Sequence, residues 1–170
     1  MKYNWNSIKN IFSDFRGLIG IGVTDVASSG IAALFWFYIA SALGPEPYGK
    51  VSYLIAVATL TSTVSLLGST NMLTVYTAKN VKIESAVYLI SIICGLIASI
   101  ILYFITYDVS ASAYVIGIMI IGLGNATIIG KKSYKNYSKY IIAQKLLMAS
   151  LSISMYYTIG FDGILFGIAL

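Results

Sequence analysis

The chain has 170 residues, 58% of them hydrophobic and 10% charged, with 11 Lys plus Arg against 6 Asp plus Glu and a net charge of +5. A soluble domain carries about 25% charged residues, so this composition excludes a protein whose surface is mainly in water. With no His, an imidazole base, a histidine metal ligand and a Ser-His pair are excluded, and the single Cys94 excludes an internal disulfide or a cysteine-rich metal site.

The charge-free runs 51–78, 85–107 and 109–130 each reach the roughly 20 residues that cross a ~30 Å hydrocarbon core as a helix. The expected fold class is all-α, a polytopic transmembrane helical bundle with five complete spans and a truncated sixth. Residues 1–16 place Trp5, Ile8, Phe12 and Phe15 at helical spacing with Lys2, Lys9 and Arg16 elsewhere, the pattern of a helix lying on the bilayer surface; a frayed polar tail is the alternative. The apolar stretch that follows exceeds the 7 to 15 residues of a cleavable signal, so this segment is expected to be retained.

The transmembrane lobe then covers 17–170. Its first span is expected at 17–43, stopped by Gly44, Pro45, Glu46 and Pro47. The second, 51–75, leads into the turn Lys79 to Lys82. The third, 86–105, closes at Tyr107 and Asp108, and the fourth is 113–129. A basic segment follows in which Lys131, Lys132, Lys135 and Lys139 alternate with Tyr134, Tyr137 and Tyr140, then a fifth span at 141–159. After Asp162 too few residues remain, at ~1.5 Å rise each, for a further crossing. A sixth helix from 163 is expected to be cut short, as in a fragment of a longer protein.

Lys2, Lys9, Arg16, Lys79, Lys82, Lys131, Lys132, Lys135 and Lys139 fall on one side of five alternating crossings, and the opposite loops carry only Lys50. Cytoplasmic loops hold the excess of Lys and Arg, which predicts a cytoplasmic N-terminus in a multi-pass protein of the cell membrane. Lys131 to Lys139 could serve nucleic acid, but a cytoplasmic loop against anionic lipid head groups is the reading adopted; the bilayer is the expected partner and nucleic acid is not.

Asp25 is the sharpest anomaly. Measured from Gly17 it lies ~12 Å along a helix, too deep for a short side chain to reach the head groups. Gly22, Ser28, Ser29 and Ala32 share its neighbourhood, so that face is small and polar. Either Asp25 is a protonatable or sodium-binding group coupling H+ or Na+ to transport, or the first span begins near Val26 and leaves it in the interface. Asn125 shares a face with Gly117, Ile121 and Gly124 and reads as cavity lining or interhelical glue. Ser62 lies on one face with Ser65 and Ser69, compatible with a polar cavity or with bonds to its own backbone. Lys145, at helical spacing with Ala149, Ser152 and Tyr156, either snorkels to the head groups or points inward to meet an anionic phosphate. Cys94 reads as an inert small residue.

The run Ile39, Ala40, Ser41, Ala42, Leu43, Gly44, Pro45, Glu46, Pro47, Tyr48, Gly49 resembles the A-x-x-L-G-P-E-x-Y-G signature that closes the first span of polysaccharide transporters, the lipid-linked oligosaccharide (O-antigen) flippases of the MOP superfamily. Leu66 to Thr70 resembles the end of that family's second span, and Gly160 to Gly167 its approach to the sixth. Gly44, Pro45, Tyr48 and Gly49 are read as a structural turn: prolines stiffen it, glycines permit unusual backbone angles and Tyr48 anchors at the interface. The resemblance implies an N-terminal lobe facing a central cavity, alternating access by rocking against a C-terminal lobe or second chain, and a lipid-linked saccharide as substrate. With no His, no paired intramembrane carboxylates and no nucleophile beside a base, no enzyme activity is expected, and no cofactor beyond a coupling H+ or Na+. The same superfamily contains cation-coupled drug exporters, an alternative function, and a non-transporting membrane scaffold is a third. The family's flippases place Arg or Lys in the cavity for a pyrophosphate; Lys145 alone fits that pattern here.

Overall fold

The computed structural model describes the backbone of residues 5–169 and the side chains of residues 19–169. Among them the order is α1 (Trp5–Leu43), α2 (Pro45–Leu66), α3 (Ser69–Ala78), α4 (Glu84–Thr106), α5 (Val109–Gly130), α6 (Tyr134–Ile159) and α7 (Phe161–Ala169). The side chains that would define a surface-lying helix at 1–16 lie outside the described residues. Four helical segments are long and apolar enough to cross a membrane: Ile19–Leu43, Pro45–Leu66, Glu84–Thr106 and Val109–Gly130. The described residues are all-helical, and α6, 26 residues long, is less apolar than those four, with Lys135, Lys139, Gln144 and Lys145 along it.

Burial runs opposite to that of a soluble bundle. α4 buries Val87, Ser91, Gly95, Ser99 and Leu102, one strip at about four-residue spacing, and exposes Leu89, Ile90, Ile93, Ile97, Ile100 and Phe104. Small and hydroxylated residues let backbones approach, while in lipid the large aliphatic side chains gain nothing by moving inward. Met119 of α5 lies where a Cβ on Gly95 would stand, and the Ser99 hydroxyl donates to the Ser112 carbonyl at 2.9 Å. α5 is the central post: only Val109 and Ile120 along it are exposed, and it packs on α2, α3, α4, α6 and α7. α7 docks through Gly163 and Gly167, whose added Cβ atoms would run into the α6 backbone at Met155 and Ser152.

The connections differ from the expected boundaries in three places. The second span is not continuous over 51–75: Leu67 (φ 45°, ψ 35°) and Gly68 (φ 77°) both adopt left-handed backbone, ending α2 and restarting the chain as α3. Only Lys131 to Ser133 form a turn before α6, so Lys135 and Lys139 sit on its first turns rather than in a loop. The Gly44 to Gly49 hairpin shrinks to a single residue, because Pro45 occupies the first helical position, where its missing N–H costs nothing. Gly44 (φ 77°, ψ 175°) lies in a region open essentially to glycine alone. Gly49 is ordinary helix with open space about its Cα, which corrects the expectation that it supplies turn freedom.

The α6–α7 junction repeats the device with Gly160 (φ 86°, ψ −146°). Lys50 of the first hairpin lies over the ring of Phe161 in the second, 5.1 Å from its centroid. At the same end Asp108 caps α5, its Oδ1 accepting from the N–H groups of Ser110 (2.9 Å) and Ala111 (3.0 Å).

Gly44→Ala is expected to lower stability by about 1–3 kcal/mol, read as reversible unfolding from detergent, whereas Gly49→Ala leaves it unchanged or slightly raised. Equal losses at the two positions would contradict the backbone geometry described.

Candidate functional site

The α1 strip that packs into the bundle is Thr24, Ser28, Phe35 and Ile39, all buried. Beside it runs a second strip of small and polar residues, Gly22, Asp25, Ser29 and Ala33, all exposed. Beyond that lie Val26, Leu34 and Phe37, exposed and large. The polar strip ends upward in Trp36, whose ring meets that of Tyr48 edge-on at 6.1 Å. Tyr48 in turn heads an α2 strip made of Ser52, Ile55, Thr59 and Thr63 at three- to four-residue spacing, of which Thr59 and Thr63 are exposed. The Trp36–Tyr48 contact sets the two polar strips on adjoining faces of the hairpin at its Gly44 end, and the angle between α1 and α2 below that contact is the hairpin cleft.

The sequence-predicted residues distribute unequally about this cleft. Asp25 and Ser29 line its α1 wall. Ser28 does not: it is 6% exposed and donates to the Asp25 backbone carbonyl at 3.0 Å. Ser62 is 1% exposed and donates to the Thr59 carbonyl at 2.8 Å. Both hydroxyls are spent on their own helices and neither lines open space, a correction to the cavity role expected of them. Thr59 and Thr63, which the serine spacing obscured, are the exposed positions; Thr59, three residues from Ser62, lies at the edge of the buried strip, and the Thr63 hydroxyl donates to the Thr59 carbonyl at 2.8 Å.

α1 runs unbroken from Trp5 through Gly17, so Gly17 is no helix boundary from which to measure the position of Asp25. The Tyr137 hydroxyl reaches its Oδ1 at 3.4 Å, and the neighbouring Thr24 shares a hydrogen bond with the Ser138 hydroxyl at 2.7 Å. Tyr137 and Ser138 belong to the first turns of α6, so the carboxylate stands at the lysine-rich rim of the bundle.

Lys145 is two helical turns farther along α6, ~12 Å from the rim. It is half-buried and shares its face with Ala149 and Tyr156, which pack on the main core cluster, while Leu146, Leu147 and Leu151 hold the outer face. Among the described residues it has no ion-pair partner. Asn125 is half-buried on α5, and its Oδ1, like Oε1 of Gln144 on α6, has no hydrogen-bond partner among the described residues. Gln144, with Tyr140 and Ile121, lines a cavity of about 180 Å³ between α5, α6 and α7. Gln144 drew no functional reading from the sequence, since a single amide on a polar helix carries no periodic signal. Cys94 opens on a groove between α2 and α4 lined by aliphatic residues. No group of three or more His, Cys, Asp or Glu that could hold a metal occurs among the described residues.

A family model described as polysaccharide biosynthesis protein matches residues 15–111, more than half of the chain and all of the cleft-forming hairpin. The chain belongs to the polysaccharide biosynthesis protein family. Members of this family are generally transporters rather than enzymes, and the match joins the apolar helices in making this chain a multi-pass membrane protein associated with polysaccharide transport. Neither a curated protein nor a solved structure matched the chain. The matched segment ends in the first turn of α5, so Asn125, Lys145 and the α6 partners of Asp25 lie beyond it.

In a Cys94→Ala background, Ser29→Cys and Thr59→Cys are expected to react with a membrane-impermeant maleimide reaching the lysine-rich side, and Ser28→Cys and Ser62→Cys to stay unlabelled until the protein is unfolded. Labelling of all four at one rate would remove the cleft.

Proposed function

We propose that this chain forms one wall of an exporter that flips a lipid-linked oligosaccharide or polysaccharide precursor across the cell membrane by alternating access. The observation that carries this reading is the pair of exposed polar strips, Gly22, Asp25 and Ser29 on α1 and Thr59 and Thr63 on α2, in contrast to α4, whose exposed face is largely aliphatic. A saccharide needs hydroxyl and carboxylate partners, while the lipid tail it carries needs none and stays in or beside the bilayer. The complementary wall of the cavity is supplied by a C-terminal lobe or a second chain. In this proposal the bundle crosses the membrane five times, through α1, α2 with α3, α4, α5 and α6, with α7 starting a sixth crossing. The N-terminus is cytoplasmic, so that the lysine-rich turns stay on the cytoplasmic side.

Lys145 is the candidate for the substrate's phosphate, since it is half-buried and among the described residues no carboxylate pairs with it, which favours an anion. Asp25 favours a second reading, cation-coupled export of a drug or small molecule. The Asp25–Tyr137 contact joins α1 to α6 at the rim, so a proton or Na+ arriving at the carboxylate alters the contact between two helices. A non-transporting scaffold is the remaining alternative.

The complete gene, reconstituted in vesicles, separates these readings. Flipping of a fluorescent lipid-linked oligosaccharide that falls at least ~10-fold in Lys145→Ala, the size of one lost charge-assisted contact, supports the proposal. Efflux of a cationic dye, with no flipping and abolished by Asp25→Asn, would replace it by the antiporter. Neither activity from a continuous reading frame would leave the scaffold.

A further inference from the structure

The turn after α3 and the turn after α5 wall a cavity of about 690 Å³ at the lysine-rich end of the bundle, with no lining residue from α1 or α2. Asn80 and Lys82 line it from one turn, Lys131 and Lys132 from the other, and Glu84 and Ser85 from the start of α4. Three lysines and one glutamate thus line it. That carboxylate is already engaged: Lys131 Nζ lies 3.4 Å from Glu84 Oε2, and the Thr77 hydroxyl donates to Oε1 at 3.3 Å. Lys82 and Lys132 have no carboxylate partner among the described residues.

The walls are built rather than loose. Asn80 (φ 56°) and Lys132 (φ 53°) both hold left-handed backbone that non-glycine residues rarely adopt. Each turn is closed by its own bonds: Asn80 N–H donates to the Thr77 carbonyl at 3.0 Å, Val81 N–H to Tyr76 at 3.0 Å and Lys132 N–H to Ile129 at 2.9 Å. Gly130 forms the floor where α3 and α5 come closest; an added Cβ would stand 2.7 Å from Thr77 Cβ and 2.9 Å from the Thr74 carbonyl oxygen. The Glu84–Lys131 pair then ties the two turns together across the opening. α4 begins at the cavity wall with no side-chain cap over its first turn, so its N-terminal partial charge adds to that of the lysines.

We propose that this cavity binds the phosphate of an anionic lipid head group or of a soluble phosphate ester. Lys82 and Lys132 hold the phosphate oxygens, and Glu84 fixes Lys131 and the second turn so that the two free ammonium groups converge. The volume lies in the range of pockets that take small organic ligands, which suits a head group better than a bare ion. This inference does not rest on the transport reading.

The test uses the full chain in neutral detergent, with native mass spectrometry counting bound dioctanoyl phosphatidylglycerol against phosphatidylcholine. One phosphatidylglycerol is expected to bind preferentially. The double variant Lys82→Gln/Lys132→Gln weakens it about 30-fold, from two lysines near a surface phosphate. Lys135→Gln/Lys139→Gln removes the same charge from the flank of α6 outside the cavity and leaves binding within about 3-fold. Lys82→Arg/Lys132→Arg retains binding and shows that the fold tolerates change at these exposed positions. Equal losses from the two glutamine pairs would mean diffuse attraction, and no loss from either would mean no site; both overturn the proposal. Inorganic phosphate that displaces the lipid identifies phosphate itself as the recognised group, and lipid retained in excess phosphate identifies the head group as its source; either result keeps the site.

Discussion

The structure depends on one constraint: in hydrocarbon, aliphatic side chains gain nothing by turning inward, so helices are held together by close backbone approach and by polar groups with nowhere else to go. The α4 strip of Ser91, Gly95 and Ser99 against α5, and the Gly163 and Gly167 contact of α7 with α6, are this constraint made visible. Hydroxyls that would be costly in lipid are satisfied within a turn, as Ser62, Thr61, Thr74 and Thr106 are by carbonyls three or four residues back. Such bonds alone do not mark a site, since exposed Thr63 donates to the Thr59 carbonyl at 2.8 Å just as buried Ser62 does. Exposure separates the two groups, which is why the two exposed strips of the first hairpin carry the functional reading and the buried serines do not.

The geometry also links the hairpin to the rest of the bundle. Gly44 allows α1 and α2 to fold back on each other with one intervening residue, and the Trp36–Tyr48 contact sets their polar strips on adjoining faces of the hairpin. α6 braces α1 at both ends, through the Thr24–Ser138 and Tyr137–Asp25 contacts near the rim and a Tyr38–Tyr157 hydroxyl pair at 2.8 Å toward the other end. A helix held at both ends but open along its middle face presents a surface that a second lobe can approach without remodelling this one.

Much of the fold was legible in the sequence because lipid imposes length and composition on each crossing: the helices at 84–106 and 109–130 fall within a few residues of the charge-free runs that announced them. The junctions were harder. Pro45 and Pro47 read as breakers, yet at the first turn of a helix a proline is tolerated and starts one. The Leu67–Gly68 break carries no proline, and its apolar neighbours read as continuous span. For the site, periodicity placed residues on a face but could not say which face a neighbour covers. It therefore grouped Ser28 with Ser29, and Ser62 with the open wall, although each pair is separated by the edge of a packed helix. Lys145 shows the same limit in reverse: lysine spacing alone fits snorkelling, while packing of Ala149 and Tyr156 sets its side of α6 inward.

Topology reporters test the account most directly. Alkaline phosphatase fused after Gly44 is expected to be active and fused after Lys82 inactive, with a cytoplasmic reporter giving the converse pattern. Activity of one reporter at both positions would mean that α2 and α3 do not carry the chain across the bilayer, and the cleft would lose the membrane that gives it meaning.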